Sequence, residues 1–251
     1  MPPIDDRPAS GDPTARYARV RVIGLDCDDT LWQSENHFQD IHDRYRELLA
    51  PHADLDDAAL DATMLATERA NLGLFGYGVK GFVLSLIETA IEVTDRQIPA
   101  EAIATMIAWG KELLSHPVDL LDGVADTTAA LAARGYRLVL ITKGDLWHQE
   151  SKVATSGLAE LADGVAIVSE KDPATYRRVL ADHDVDPTTF CMVGNSVRSD
   201  VLPVLDIGGH AIHIPYVVTW AHEHVDDPGA AFETLGTFAD LLDVLAGPQS
   251  R

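Results

Sequence analysis

Three scarcities narrow what this chain can be. Cysteine is nearly missing: only Cys27 and Cys191 occur in 251 residues, each inside an apolar run. That excludes a disulfide framework and points to small buried thiols in a reducing compartment, by default the cytoplasm. Positive charge is scarce as well, with 19 Lys and Arg against 40 Asp and Glu and a formal net charge of -21 at pH 7. No basic run occurs, so the electrostatic footprint of a nucleic-acid binder is lacking, and the acidity serves solubility. Nothing approaches the roughly 20 unbroken apolar residues of a membrane span. Residues 1–18 are polar and rich in Pro and Asp. They lack the basic and apolar regions of a signal peptide and read as a disordered leader.

What the chain does contain is a set of short apolar runs bounded by turn residues, the mark of buried parallel strands. They are Val20 to Asp26, Arg137 to Thr142, Val165 to Val168, Phe190 to Gly194 and Ala211 to Ile214. Helical patterns lie between the later ones. Val124 to Arg134 stops at Gly135, Leu146 to Ser156 stops at Gly157, and Pro173 to His183 starts from the pair Asp172-Pro173. Strands alternating with single helices predict an α/β fold with a doubly wound parallel sheet.

The first strand breaks the alternation. Residues 35–116 show helical spacing only, as in Phe38, Ile41, Tyr45, Leu48 and Leu49, then Phe82, Leu86, Ala90 and Ile91, then Ile103, Met106, Ile107, Gly110 and Leu114. We therefore expect a small all-helical domain inserted into a core made of residues 19–34 and 117–251. Within the insert, four glycines between Asn71 and Phe82 predict a tight loop with the freedom of a hinge. Tyr77 and Lys80 in that loop are candidate substrate contacts; the bland alternative is a structural turn with a solvated lysine.

In an open α/β sheet, ligands bind at the carboxyl ends of the strands. The residues at those ends are Asp26-Cys27-Asp28-Asp29-Thr30, then Thr142-Lys143-Gly144, then Ser169-Glu170-Lys171-Asp172, then Gly194-Asn195-Ser196-Val197-Arg198-Ser199-Asp200. Acids, a hydroxyl, an amine and an amide on one sheet edge suit a divalent cation and a phosphate. Phosphoryl transfer needs an in-line nucleophile, charge neutralisation and a proton for the leaving oxygen. Asp26 can be the nucleophile. Asp28, two residues on, can protonate the leaving alkoxide and later take a proton from water. Thr142, Lys143 and Lys171 can hold phosphoryl oxygens. Magnesium, which prefers oxygen ligands and keeps several waters, can be held by Asp26, the backbone carbonyl of Asp28, and Asn195 or Asp200. Taken singly, each of these positions has a duller reading: Thr142 as a strand-end hydroxyl, Lys171 as half of a surface pair, Asn195 as a turn, Asp200 as a helix-surface acid. Asp29 reads as structural. His210, His213, His222 and His224 lack the companions of a metal site and read as scattered histidines, and Tyr216 and Trp220 as packing residues.

VIGLDCDDTL resembles the first motif of the haloacid dehalogenase superfamily, LITKG the second, Lys171 the third and VGNSVRSD the fourth. Order and separation match, and the helical insertion is similar to that family's lid. The resemblance implies a magnesium-dependent phosphatase in which Asp26 is nucleophile and metal ligand, Asp28 the general acid and base, and Thr142 and Lys171 the phosphoryl-holding pair. The fourth motif commonly opens with Gly-Asp, where this chain has Asn195; a neutral amide oxygen predicts weaker metal binding and a larger share for Asp200. Dehalogenating members use no metal and lack the second acid, so Asp28 favours phosphate. The expected substrate is a small phosphorylated metabolite. Phosphomutase-type transfer to another hydroxyl and a non-catalytic ligand-binding role are the alternatives. Oligomeric state is not legible.

Overall fold

The structure, a computed structural model, describes residues 16–218, 223, 225 and 229–247. Trp220, His222, His224 and most of the expected leader lie outside the described residues. Tyr17, counted with the leader in the sequence reading, is 2% exposed and packs into the core.

Six parallel strands form one sheet: β1 (Val22–Leu25), β2 (Arg137–Lys143), β3 (Gly164–Val168), β4 (Phe190–Gly194), β5 (His210–His213) and β6 (Glu233–Thr234). Their order is β3-β2-β1-β4-β5-β6. The five long strands match the apolar runs; two-residue β6 carries no apolar signature and was not expected. Strand order reverses between β1 and β4, so the crevice of a doubly wound sheet opens beyond Leu25 and Gly194. In register, Leu25 lies opposite Val193 and Leu140, which aligns the ends of β1, β2 and β4.

Alternate side chains of each strand feed opposite faces, as the strand period requires. Ile23, Leu25, Leu138, Leu140, Cys191 and Val193 share one cluster. It is covered by α5 (Val124–Ala133), α6 (Leu146–Thr155) and α9 (Leu241–Val244). Val22, Val139, Ile141, Phe190 and Met192 share the other, under α7 (Pro173–Asp182) and α8 (Leu202–Asp206). Gly24 sits on that second face, where a Cβ would stand 2.5 Å from the Phe190 ring. Both cysteines are buried and free.

The segment after β1 is all-helical: α1 (Glu35–Leu49), α2 (Asp57–Phe75), α3 (Val79–Val93) and α4 (Ala100–Ser115). These helices share an apolar cluster of their own, centred on Ile41, Tyr45, Met64, Leu86 and Met106. The Tyr45 hydroxyl donates to the Leu86 carbonyl at 2.9 Å, joining α1 to α3. The expected glycine-rich loop is shorter than predicted. Helix α2 continues through Phe75 and α3 begins at Val79, which leaves only Gly76–Gly78, with φ of +72° and +113° at the two glycines. Among the described residues no helix is long and apolar enough to cross a membrane.

Candidate active site

The chain reverses direction just beyond β1, and Asp26 sits at that point, 7% exposed, with its backbone N–H held by the Val193 carbonyl at 2.9 Å. One carboxylate oxygen accepts from the Lys171 ammonium, the other from the Thr30 hydroxyl at 2.9 Å. Lys171 also donates to Asp200 at 2.7 Å, so one buried cation bridges two buried carboxylates. Burial and the Asp200 charge push the Asp26 carboxyl up, against the pull of Lys171. Asp200 reaches the site because residues Val197–Val201 form a single π-helical turn, which turns Ser199 and Asp200 inward. Its other oxygen accepts the Ser196 N–H at 3.0 Å. Gly194 makes room for it; a Cβ there would lie 2.2 Å from an Asp200 oxygen. Asn195 joins the group through Thr30, whose hydroxyl lies 3.3 Å from the amide oxygen and accepts the Asn195 N–H at 3.0 Å.

Asp28 faces the same cleft with a donor shell that sequence reasoning missed. Its carboxylate accepts from Trp32 Nε1 at 2.6 Å, Gln149 Nε2 at 2.8 Å and Lys152 Nζ at 2.5 Å. Burial pushes the group up, but the Lys152 charge and these hydrogen bonds outweigh it and hold the carboxyl below its usual range. Gln149 and Lys152 lie three apart on α6, a helix that starts at the carboxyl end of β2 and so turns one face toward the site. That spacing was the available signal. Asp29, at φ +62°, uses its side chain to receive the N–H groups of Ser34 and Glu35 at the start of α1, the structural role expected of it.

Thr142 is 1% exposed and lines the cleft, as expected, with no side-chain partner among the described residues. Lys143, expected to contact phosphate, also lines the cleft. Its ammonium meets Glu223 at 2.5 Å and Ser199 at 3.1 Å, over the Tyr77 ring at 4.1 Å. Glu223, which nothing in the sequence singled out, also accepts from Ser196 and Ser199, and its carboxyl is held down to about 2, against the upward push of burial, by Lys143 and these bonds. Tyr77 lines the cleft and donates to Glu170 at 2.7 Å, docking the α2–α3 loop on the sheet edge. Lys80 does not line the cleft; it pairs with Asp145 at 2.8 Å. Tyr216, read as packing, accepts from Asn36 Nδ2 at 2.9 Å. His213 meets the Asn195 carbonyl at 3.0 Å, and no histidine-based metal cluster exists among the described residues.

Asp26, Asp28, Thr142, Lys143, Gln149, Lys152, Lys171, Asn195, Asp200 and Glu223 form the floor of a cleft of about 200 Å³. The helical insertion supplies its roof, from Glu35, Phe38, His42, Glu68, Asn71, Phe82 and Ser85. A carboxylate flanked by a buried ammonium, an open hydroxyl and a second ionised carboxylate can carry out nucleophilic displacement at a polar centre and manage its protons.

Comparison with known proteins accords with this geometry. A family model for haloacid dehalogenase-like hydrolases matches residues 20–208. A solved haloacid dehalogenase-like hydrolase from Xanthomonas campestris is 45% identical, with a TM-score of 0.74, over 84% of this chain and 88% of its own. Two more distant structures share the fold. A predicted phosphoglycolate phosphatase from Haemophilus somnus is 17% identical, with a TM-score of 0.59 over 90% of this chain and 98% of its own. A 2-haloacid dehalogenase from Pseudomonas syringae is 21% identical, with the same TM-score and coverage. No curated protein matches the chain. With the match spanning all of the strands from β1 to β4 and every group on the cleft floor but Glu223, the chain belongs to the haloacid dehalogenase-like hydrolases.

Proposed function

We propose that this hydrolase cleaves small phosphate monoesters through an aspartyl-phosphate on Asp26. An Asp26 oxygen bonds to phosphorus as the ester oxygen departs in line, and the departing alkoxide takes a proton from Asp28. Water then loses a proton to Asp28, attacks phosphorus, releases inorganic phosphate and restores the Asp26 carboxylate. Lys171 keeps Asp26 anionic and oriented, and the Thr142 hydroxyl donates to a phosphoryl oxygen.

The observation that carries the reading is Asp28. It stands in the same cleft as the nucleophile, within a shell of three donors that fixes its direction. Displacing a halide from carbon requires no proton for the leaving group; displacing an alkoxide from phosphorus does. In the resting protein Asp28 is ionised and suited to the water-activating half of the cycle. The first half draws on its protonated fraction, so hydrolysis is expected to fall as pH rises through its pKa.

Magnesium is the proposed cofactor. Among the described residues no three His, Cys, Asp or Glu side chains form a ready ligand cluster. A site of fewer carboxylates, completed by an amide, a backbone carbonyl and waters, is one magnesium accepts. The donors fit: Asp26 and Asn195 both turn an oxygen to Thr30, and Asp26 and Asp200 together bring two charges for one lysine. Asp26, the Asp28 carbonyl, Asn195 and Asp200 would hold the ion, which when bound supplies charge neutralisation at the phosphoryl group. The proposed setting is the cytoplasm, where the two buried thiols stay reduced.

The test measures phosphate release from an aryl phosphate with and without magnesium, beside halide release from a 2-haloacid. Magnesium-dependent phosphate release that Asp26→Asn abolishes is expected. Halide release without phosphate release sinks the proposal.

A further inference from the structure

The roof of the cleft contains a polar arrangement that the chemistry of the floor does not use. On the buried stripe of α2, Leu60 and Met64 face the apolar cluster of the insertion, but the next two positions are Glu68 and Asn71. Glu68 is 8% exposed, lines the cleft, and has no hydrogen-bond or ion-pair partner among the described residues. Burial pushes its carboxyl up to about 7. Glu35, at the start of α1, faces the same space and is likewise raised to about 7, by burial first, then by Glu68 and Asp28 against a bond from Gln39. Asn71 donates to Ser85 at 3.1 Å and Glu88 at 2.7 Å, which fixes it beside Glu68 with its amide oxygen left as an acceptor.

A buried carboxyl without a partner costs free energy that a folded protein ordinarily avoids. Glu68 is one, and with the half-buried Glu35 of α1 turned into the same cleft it implies a partner brought by the ligand. The sign of that partner follows from the rest of the lining. Eight carboxyl groups and three lysines line the cleft. Each lysine is already committed: Lys143 to Glu223, Lys152 to Asp28, and Lys171 to Asp26 and Asp200. His42 and His148 are both lowered by burial and carry no charge at neutral pH. The roof offers acceptors and negative charge, with nothing to receive a carboxylate.

We infer that Glu68 and Glu35 form a subsite for a positively charged amino group on the leaving-group side of the substrate, so that the natural phosphate monoester carries an ammonium. This rests on the phosphatase reading for the identity of the phosphoryl end. An ammonium reaching the two carboxyls would ionise both and give Glu68 the donor it lacks. Phe38 and Phe82, packed edge to face at 5.0 Å, line the same cleft beside them and suit a short aliphatic stem.

The test titrates the whole protein, in magnesium, with linear alkylphosphonates of two to six carbons ending in an amino, hydroxyl or carboxylate group. Phosphonates are not hydrolysed, so binding is read independently of turnover. At the best length the amine is expected to bind at least about tenfold tighter than the hydroxyl, with the carboxylate weakest, a charged hydrogen bond being worth roughly that much. Glu68→Gln, and separately Glu35→Gln, are expected to shrink the amine preference several-fold. Both changes replace an acid by its neutral isostere, at Glu68 without breaking any bond and at Glu35 at the Gln39 contact only, and circular dichroism checks that the variants fold. Equal or tighter binding of the hydroxyl or carboxylate at every length overturns the inference, as does an amine preference that survives both substitutions. Aryl phosphate turnover is scored separately. Its absence beside an amine preference removes the phosphatase reading and leaves the subsite; its presence without that preference does the reverse.

Discussion

The floor and the roof of the cleft are both acidic, yet they handle acidity in opposite ways. On the floor every carboxylate has donors: Asp26 and Asp200 share Lys171, Asp28 has Lys152, and Glu223 has Lys143. On the roof Glu68 has none among the described residues, and Glu35 has one bond, from Gln39 at 3.3 Å. Such a floor is preorganised, its dipoles and charges set before substrate arrives, which is what the proposed reaction at phosphorus requires. The roof is unfinished without a ligand. On the proposed reading, chemistry and selection are carried by different layers, one built from strand ends and the other from helix faces.

The sharpest way to break this division is at Asp26. Replacing it with Asn keeps the shape and the Thr30 contact but removes the attacking anion, so turnover of any phosphate monoester is expected to fall by more than about a thousandfold. Steady-state phosphate release measures it; a loss of under tenfold would place the nucleophile elsewhere. Lys171→Met tests the floor's compensation directly. Asp26 and Asp200 would be left buried and uncompensated, and breaking a buried pair this way costs about 3–5 kcal/mol. Urea denaturation should report a loss of that size without magnesium and a smaller loss with it, since a dication replaces part of the missing charge. A variant as stable as the parent would mean the pair is not needed to hold the floor.

Lys152→Met probes the one floor contact that the chemistry must work against. Lys152 holds Asp28 ionised, so the protonated fraction needed for the first step is small near neutrality. Without that charge the Asp28 pKa rises, and the limb of the pH profile on which activity falls with rising pH should move measurably to higher pH. An unmoved limb would assign it to a different group.

The same division explains how far the sequence could be read. Buried parallel strands announce themselves by apolar runs, and the catalytic floor hangs on their ends, so Asp26, Asp28, Thr142, Lys171, Asn195 and Asp200 could be found and do line one cleft. Partners that come from helix faces or loops left no such mark. Lys152 and Gln149 on α6 look like surface polars of an amphipathic helix, and Glu223 sits in a segment with no periodic pattern. Helix α2 itself escaped individual notice because half of its buried stripe, Glu68 and Asn71, is polar. A hydrophobic-period argument loses the helix where its inward face turns polar. Lys80 follows the other reading given to it, that of an exposed lysine, and takes an acid within reach, here Asp145.

The smallest expected effect concerns stability at the roof. Burial raises the Glu68 carboxyl from 4.5 to about 7. Below about pH 4.5 both the folded and unfolded chains hold that proton, and its full contribution is present. Between about 4.5 and 7 the unfolded chain releases the proton while the folded chain keeps it, so unfolding becomes progressively easier as pH rises. Above about 7 the loss is complete, on the order of 3 kcal/mol for this one group. Glu68→Gln holds no such proton. The difference in unfolding free energy between the variant and the parent, followed by urea melts from pH 5 to pH 8, should therefore move in favour of the variant as pH climbs. Saturating the parent with a tight-binding amino-alkylphosphonate should flatten the slope, because an ammonium at Glu68 brings its pKa back toward the unfolded value. A difference that stays constant across this range would show that Glu68 has a partner in solution, and the contrast between a completed floor and an unfinished roof would go with it.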